Sequence, residues 1–214
     1  MTTRARTWLA AGLTMALAGC SILSDKPKST STIYAPDPRV QAEPGWPKVD
    51  WQLALSSPSA SRLIDSLRIA VRPTPGELQV YRGAQWARPP SDMLQDTVLR
   101  TLEDSGRIAA VARQGAGISA DYRLLLDIRR FESDYVQGSP AATIEVSAKL
   151  LHVADQKVAA SKVFLQAQPA TSTAVADVAQ AFEQSLAGIG RDIAGWTLAS
   201  GQTYQQSRPA GARD

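Results

Sequence analysis

The stretch that decides the fold spans residues 122–168 and reads YRLLLDIRRFESDYVQGSPAATIEVSAKLLHVADQKVAASKVFLQAQ. Apolar and polar residues alternate over 122–128 and again over 142–152, the period of a strand with one buried face. Turn residues separate these segments from each other and from a third extended segment, 158–168. The pattern therefore predicts an antiparallel meander of three strands.

Shorter extended segments lie upstream of the meander. Residues 49–55 alternate cleanly, residues 67–71 repeat the pattern until Pro73 stops it, and a third short segment covers 78–80. Residues 108–111 form one more short apolar run. These segments add strands to the predicted sheet.

Two segments have the period of a helix. Ser91 is the predicted N-cap of a helix over 91–102, which ends before Gly106. The final helix begins after Ser172 and carries an apolar stripe at spacings of three and four. Its members are Val175, Val178, Phe182, Leu186, Ile189, Ile193 and Trp196, and Gly188, Gly190 and Gly195 interrupt the helix where close approach to the sheet is expected. The predicted class is α+β, an antiparallel or mixed β-sheet with two main helices packed on one face.

The amino terminus has the pattern of a secretory signal. Arg4 and Arg6 precede an apolar run from Trp8 to Leu17, which is too short for a spanning helix. Leu17, Ala18 and Gly19 then lead to Cys20, the only cysteine of the 214 residues, so no internal disulfide forms. The formal charge of +3 includes two arginines of this signal.

The sequence is accordingly divided into four parts. Residues 1–19 are the predicted signal peptide, 20–48 a lipidated cysteine with a tether rich in proline and serine, 49–199 the folded domain and 200–214 a disordered tail. An alternative remains open for the tether, in which the segment around Ile33, Tyr34 and Trp46 packs along the domain.

The segment Leu17-Ala18-Gly19-Cys20 resembles the lipobox of bacterial lipoproteins. The resemblance implies that the Cys20 thiol is acylated after cleavage before it, and that Ser21 favours delivery to the outer membrane. Several acyl chains would hold the protein stably without a transmembrane helix. An ordinary cleaved signal with a chance cysteine is the alternative.

The order of elements after the lipobox resembles the ABC-type transport auxiliary lipoprotein family, which includes paraquat-inducible protein C. The matching features lie between residues 49 and 199, and the sharpest is Tyr81-Arg82 followed by Trp86-Ala87. The resemblance implies an auxiliary subunit on the periplasmic face of the outer membrane. Its implied partners are a mammalian-cell-entry (MCE) domain protein, an ABC permease and an ATPase, in a system for intermembrane lipid transport.

Two further partners, a bound lipid and a second copy of the chain, stay open at this stage. A different function is also considered, that of a lipoprotein chaperone or pilotin for assembly of another outer-membrane complex. Gene neighbourhood would discriminate the two functions, because a transport role predicts adjacent permease, ATPase and MCE genes.

No motif for catalysis, a metal or a cofactor emerges from the sequence. There is no Gly-Lys pair for a phosphate loop and no GxSxG motif, and His152 is the only imidazole. His152 falls near Asp155 at a strand end, where a structural role is expected. Arginines are scattered rather than clustered, which argues against nucleic acid. The sequence predicts a protein that is not an enzyme.

Tyr81, Arg82 and Trp86 are the candidate partner contacts. Tryptophan, tyrosine and arginine dominate protein interfaces when they are exposed. The alternative is that Tyr81 and Trp86 fill the seam between the sheet and the first helix. Replacement of Trp86 separates the two hypotheses, because loss of folding would indicate a core role.

Overall fold

The structure is a computed structural model that describes residues 31–208. Within these residues, nine strands form one mixed sheet, and two helices accompany it. The elements are β1 (Thr32–Tyr34), β2 (Gln52–Leu55), β3 (Ser59–Ala60), β4 (Arg68–Arg72), β5 (Gln79–Trp86), α1 (Pro90–Ser105), β6 (Ala110–Arg113), β7 (Tyr122–Asp134), β8 (Ala141–His152), β9 (Lys157–Pro169) and α2 (Val175–Ser207). The predicted α+β class with a mixed sheet is confirmed.

The predicted meander is the antiparallel half of the sheet. β7 pairs with β8 along its whole length, and β8 pairs with β9 in the same way. The register shifts between Ile128 and Arg130, so both Ile128 and Phe131 are buried although their separation is odd. This β-bulge moves the buried face from even to odd residues.

The other edge of β7 is shared by three strands that lie end to end. β2 pairs with it at Tyr122–Leu124, β3 at Asp127–Ile128 and β4 at Ser133–Asp134, all in parallel. β6 extends the sheet beyond β2, while β5 and then β1 extend it beyond β4. Parallel pairing joins segments distant in sequence, so periodicity alone does not reveal it.

The two helices lie together over the sheet. α2 packs on β8 and β9 through its apolar stripe, and α1 packs on α2 and β6. The face of the sheet toward α2 is called the inner face and the opposite one the outer face. The inner face carries the large buried side chains, among them Leu124, Phe131, Ile144 and Leu150.

The start of α1 differs from the predicted cap. Pro89 occupies the N-cap position without a side-chain hydrogen bond, and Ser91 lies inside the helix. The carboxylate of Asp65 accepts the Ser91 backbone N–H at 3.0 Å, so a loop distant in sequence supplies the capping acceptor. Gly106 ends the helix with a left-handed φ of 59°, as its position predicted.

The sequence predicted that the glycines of α2 approach the sheet closely, but most of these approaches are to other parts of the molecule. A Cβ at Gly190 would stand 2.5 Å from Thr97 Cγ2 of α1, and one at Gly195 would stand 2.6 Å from Trp46 Nε1. Of the three glycines that the sequence singled out, only Gly188 approaches a strand, through the side chain of Gln166. Glycine therefore mainly permits close contact with α1 and with the segment before β2.

The folded region is longer than residues 49–199 at both ends. β1 pairs in parallel with β5, and Trp46 is 8% exposed, so residues 31–48 pack on the domain rather than forming an extended tether. At the other end α2 continues to Ser207, where a disordered tail was predicted from residue 200. Hydrogen bonds of Gly201 with Tyr122 of β7 and of Tyr204 with Asp155 in the β8–β9 turn stabilise this last part of the helix.

Candidate interaction surface

Trp86 lies in the core and does not reach the surface. Its side chain is 1% exposed and meets Phe182 edge-on at 5.1 Å between ring centroids and Phe131 at 6.0 Å. The Phe131 and Phe182 rings stack at 4.9 Å. The assignment of Trp86 as a partner contact is therefore wrong, because these rings fill the seam between β5, β7 and α2.

Tyr81 and Arg82 point to opposite faces of β5. The hydroxyl of Tyr81 is 3.1 Å from Ser133 Oγ and 3.0 Å from Tyr135 Oη. Burial raises the pKa of Tyr81 well above its usual range, so its phenol stays protonated. Arg82 is exposed. Of the three predicted contacts, only Arg82 has a side chain fully available to a partner.

The predicted lipobox lies outside the described residues. It comprises Leu17, Ala18, Gly19, Cys20 and Ser21. These assignments therefore remain predictions from the sequence.

Part of the outer face carries exposed apolar side chains on β9. Val158, Val163 and Leu165 are 54%, 48% and 58% exposed, and they form what we call the β9 apolar row. Val163 pairs with Ser147 and Leu165 with Glu145 on β8, so the row borders polar residues. β9 pairs with β8 alone, which leaves its second edge without a strand neighbour among the described residues.

The sequence does not reveal this row, because Val163, Phe164 and Leu165 are consecutive apolar residues and do not show which face is covered. A strand with apolar residues on both faces has the same composition as a strand buried on both faces. Phe164 is the inner residue of this segment, 4% exposed and packed on Trp196 at 5.6 Å. On the face of β9 opposite to Phe164, none of the described residues covers the β9 apolar row.

An ion-pair network occupies the outer face where β4 meets β7. Arg72 donates from Nε and Nη2 to the Glu132 carboxylate at 2.6 and 2.9 Å, and Arg130 Nε donates to the same group at 2.8 Å. Arg130 also binds Asp134. Burial raises the pKa of Asp134, but the Val136 N–H and Arg130 lower it more. Because Glu132 is fully buried, the two guanidinium groups compensate its charge, and the cluster joins β4 to β7.

His152 belongs to a second polar cluster at the end of α2. Its Nδ1 is 2.8 Å from Asp155 Oδ1, and Tyr204 donates to Asp155 Oδ2 at 2.8 Å. Arg208 Nη1 is 3.2 Å from His152 Nε2. Both ring nitrogens are thus engaged, and a neighbouring cavity of about 280 Å³ lies between Trp51, Tyr122 and this cluster. The arrangement has the expected structural role of joining α2 to the β8–β9 turn.

The cluster changes the proton affinity of its members. Desolvation raises the pKa of Asp155, but hydrogen bonds from His152, Tyr204 and the Lys157 N–H outweigh it and hold the pKa well below its usual range. The bond to Asp155, together with burial, raises the pKa of Tyr204. Burial raises the pKa of Tyr122 to about 12. A carboxylate beside neutral phenols is the stable state at neutral pH.

The described residues hold no group of three His, Cys, Asp or Glu side chains that would bind a metal ion. None of the helices within residues 31–208 has the length and apolar character needed to span a bilayer. A surface cavity of about 580 Å³ is lined by Lys48, Asp50, Ile108 and glutamines of α2, without a nucleophile beside a base.

Two relatives are similar to much of the chain. Protein XCC0632 from Xanthomonas campestris, known from a crystal structure, is 58% identical with a TM-score of 0.80, over 83% of this chain and 100% of that chain. The uncharacterized protein bll6063 of Bradyrhizobium diazoefficiens is 27% identical over 146 residues, 68% of this chain. The chain spans only 39% of the length of that curated relative.

A more distant crystal structure shares the fold alone. It is of an uncharacterized protein that is 16% identical with a TM-score of 0.57, over 74% of this chain and 97% of that chain. The family model described as "ABC-type transport auxiliary lipoprotein component" matches residues 32–194. The match begins at β1 and ends within α2, which agrees with a domain that includes residues 32–48. The family resemblance is confirmed, and the chain belongs to the ABC-type transport auxiliary lipoprotein component family.

Proposed function

We propose that the protein is a non-catalytic lipoprotein of the outer membrane, held on the periplasmic face by acylated Cys20. It would serve an ABC and MCE system for intermembrane lipid transport as an auxiliary subunit. The observation that carries the proposal is family membership over residues 32–194, together with the lipobox that precedes them. Membership indicates a membrane-anchored lipoprotein associated with a transport system.

The structure supports a role in binding other proteins. Exposed apolar side chains that form a contiguous surface commonly mark interaction sites. Within the β9 apolar row, Val163 and Leu165 are neighbours on one face of the strand, and the adjacent strand edge offers unpaired backbone groups. We infer that a subunit of the transport system packs on this row.

The anchor is tested by Cys20→Ala. Removal of the thiol should abolish both labelling by a fatty-acid probe and recovery in the outer-membrane fraction, because no other cysteine can take the acyl chain. Ser21→Asp is the sorting test, and it should move the protein to the inner membrane without loss of labelling. Unchanged membrane association of Cys20→Ala would contradict the anchor.

The partner is tested by crosslinking in membranes followed by purification of the protein. The expected products are an MCE-domain protein, a permease and an ATPase, and Val163→Asp with Leu165→Asp should reduce their yield about tenfold or more. Gln168→Asp is the matched control, since it changes an exposed residue of the same strand away from the row. Recovery of an unrelated secretin alone would instead support the pilotin function.

A further inference from the structure

A second exposed surface surrounds the point where the described chain begins. Three of its residues are large and apolar, namely Ile33, Leu63 and Leu67, which are 60%, 48% and 45% exposed. Three others are exposed arginines close to them in sequence or in the sheet. We call these six residues the N-terminal patch: Ile33, Arg62, Leu63, Leu67, Arg68 and Arg82.

Strand pairing brings these residues together. Ile33 and Arg68 both pair with Gln85 of β5, so the two side chains lie on the same face about 10 Å apart. The Trp86 N–H donates to the Leu67 carbonyl at 2.7 Å, which holds the backbone of the residue before Arg68 next to β5. Leu63 is held in the preceding turn, where its carbonyl accepts the Ser66 hydroxyl at 3.4 Å.

The charge of the patch is positive. Within residues 31–208 no carboxylate forms an ion pair with Arg62, Arg68 or Arg82, whereas most other arginines of the sheet have one. The acid of the same loop, Asp65, is engaged with the backbone of α1. Apolar side chains beside unneutralised guanidinium groups are the composition that binds an anionic phospholipid surface.

We propose that the N-terminal patch docks on the anionic phospholipid leaflet to which the protein is anchored. The inference rests on the proposed acylation of Cys20. Ten residues separate Cys20 from Ser31 and span at most about 40 Å, so acylation limits how far the patch at the start of the described chain can lie from the bilayer. The patch then orients the domain, with the β9 apolar row left available for the partner subunit.

The test uses the mature protein purified from cell membranes and reconstituted in vesicles, with a dye on a single new thiol. Ile33→Cys reports the patch, and Val163→Cys, which is also an exposed apolar residue, is the matched control. The vesicles contain phosphatidylethanolamine, a minority of phosphatidylglycerol, and a spin-labelled lipid that quenches the dye. The dye on residue 33 should be quenched about fivefold more than the dye on residue 163.

Charge variants separate docking from mere proximity. Arg68→Glu or Arg82→Glu should lower the ratio of docked to undocked protein about fivefold or more, since each arginine near an anionic leaflet contributes that factor. Lys157→Glu makes the same change of charge outside the patch and should have no effect. Replacing phosphatidylglycerol with phosphatidylcholine should resemble the arginine variants.

Flotation of the vesicles distinguishes failure of the proposed anchor from failure of the docking proposal. If the protein does not float, acylation and hence the proposed anchor are wrong. If it floats but the two dye positions are quenched equally, the anchor stands and the docking proposal is wrong. Protection of residue 33 in native envelopes, with equal quenching in vesicles, would also overturn it and assign the patch to a protein partner.

Discussion

At the scale of single side chains, whether an aromatic residue is exposed or buried decides whether it can contact a partner or belongs to the core. Trp86 fills the space between Phe131 and Phe182, so Trp86→Ala should lower the free energy of unfolding by about 3–5 kcal/mol. Arg82→Ala on the same strand should change it by about 0.5 kcal/mol or less, because Arg82 is exposed. Urea unfolding measures both. An equal, small effect of the two variants would contradict the core role of Trp86.

Glycines of α2 offer a second prediction at this scale. Gly190→Ala places a methyl group against Cγ2 of Thr97. The Thr97 hydroxyl donates to the Met93 carbonyl at 2.7 Å, so the Thr97 side chain resists rotation. Overpacking costs about 1–3 kcal/mol and outweighs the gain of about 1 kcal/mol in helix propensity, so the variant should be less stable.

Gly188→Ala is the matched control for this helix. Its new methyl group meets the end of the Gln166 side chain at 3.0 Å. The Gln166 amide donates to Asp192 at 2.7 Å, but this long side chain can shift and keep that bond, so a smaller loss or a gain is expected. Thermal unfolding compares the two variants. A Gly190→Ala protein more stable than wild type would show that α1 and α2 are not closely packed there.

The last turns of α2 illustrate the scale of an element. The sequence predicted a tail because residues 200–214 are polar, yet the Gly201 carbonyl accepts from Tyr122 of β7 and the Tyr204 hydroxyl donates to Asp155. A polar residue stabilises a helix only if its partner is in place, and the partner Asp155 lies on a distant turn. The period of a helix is local, whereas this contact joins residues 49 positions apart.

The pH dependence of this element follows from Asp155. Its pKa is lower in the folded protein than in the unfolded chain, so the stabilisation is complete above the unfolded value near 4 and is lost as the pH falls below it. Asp155→Asn should therefore be less stable than wild type at neutral pH, and the difference should narrow below about pH 4.

Urea unfolding at several pH values provides the measurement for this prediction. Asp50→Asn, a change at an exposed carboxylate, is the control and should follow the wild-type profile. A constant difference between Asp155→Asn and wild type across the acid range would contradict the linkage.

The boundary of the folded unit is a property of the whole molecule. A chain that starts at Ser31 retains β1 and Trp46, whereas one that starts at Val49 lacks both. Loss of the Trp46 side chain alone leaves a cavity beside Gly195 and should cost about 3 kcal/mol or more. The shorter chain should therefore unfold at a clearly lower temperature in calorimetry. Equal transition temperatures would show that residues 31–48 contribute nothing to the thermal stability of the domain.

At this scale the sequence determined the class of the protein. Alternation over 122–168 and the apolar stripe of α2 are local patterns, and they predicted the meander and the long helix. The predicted lipobox and the Tyr81–Ala87 motif are equally local, and the latter contributed to the family resemblance that is confirmed. Local patterns can be read directly because their physical cause, burial of one face, repeats with the period of the element.

Only the tertiary structure decided which residues are available to a partner. Trp86 and the β9 apolar row are both apolar residues of strands, but Trp86 is enclosed by rings from β7 and α2, whereas the row faces outward. The packing of residues 31–48 and the joining of three strands along β7 also depend on contacts between distant segments. Exposure is set by what covers a residue, and that information is not local in the chain.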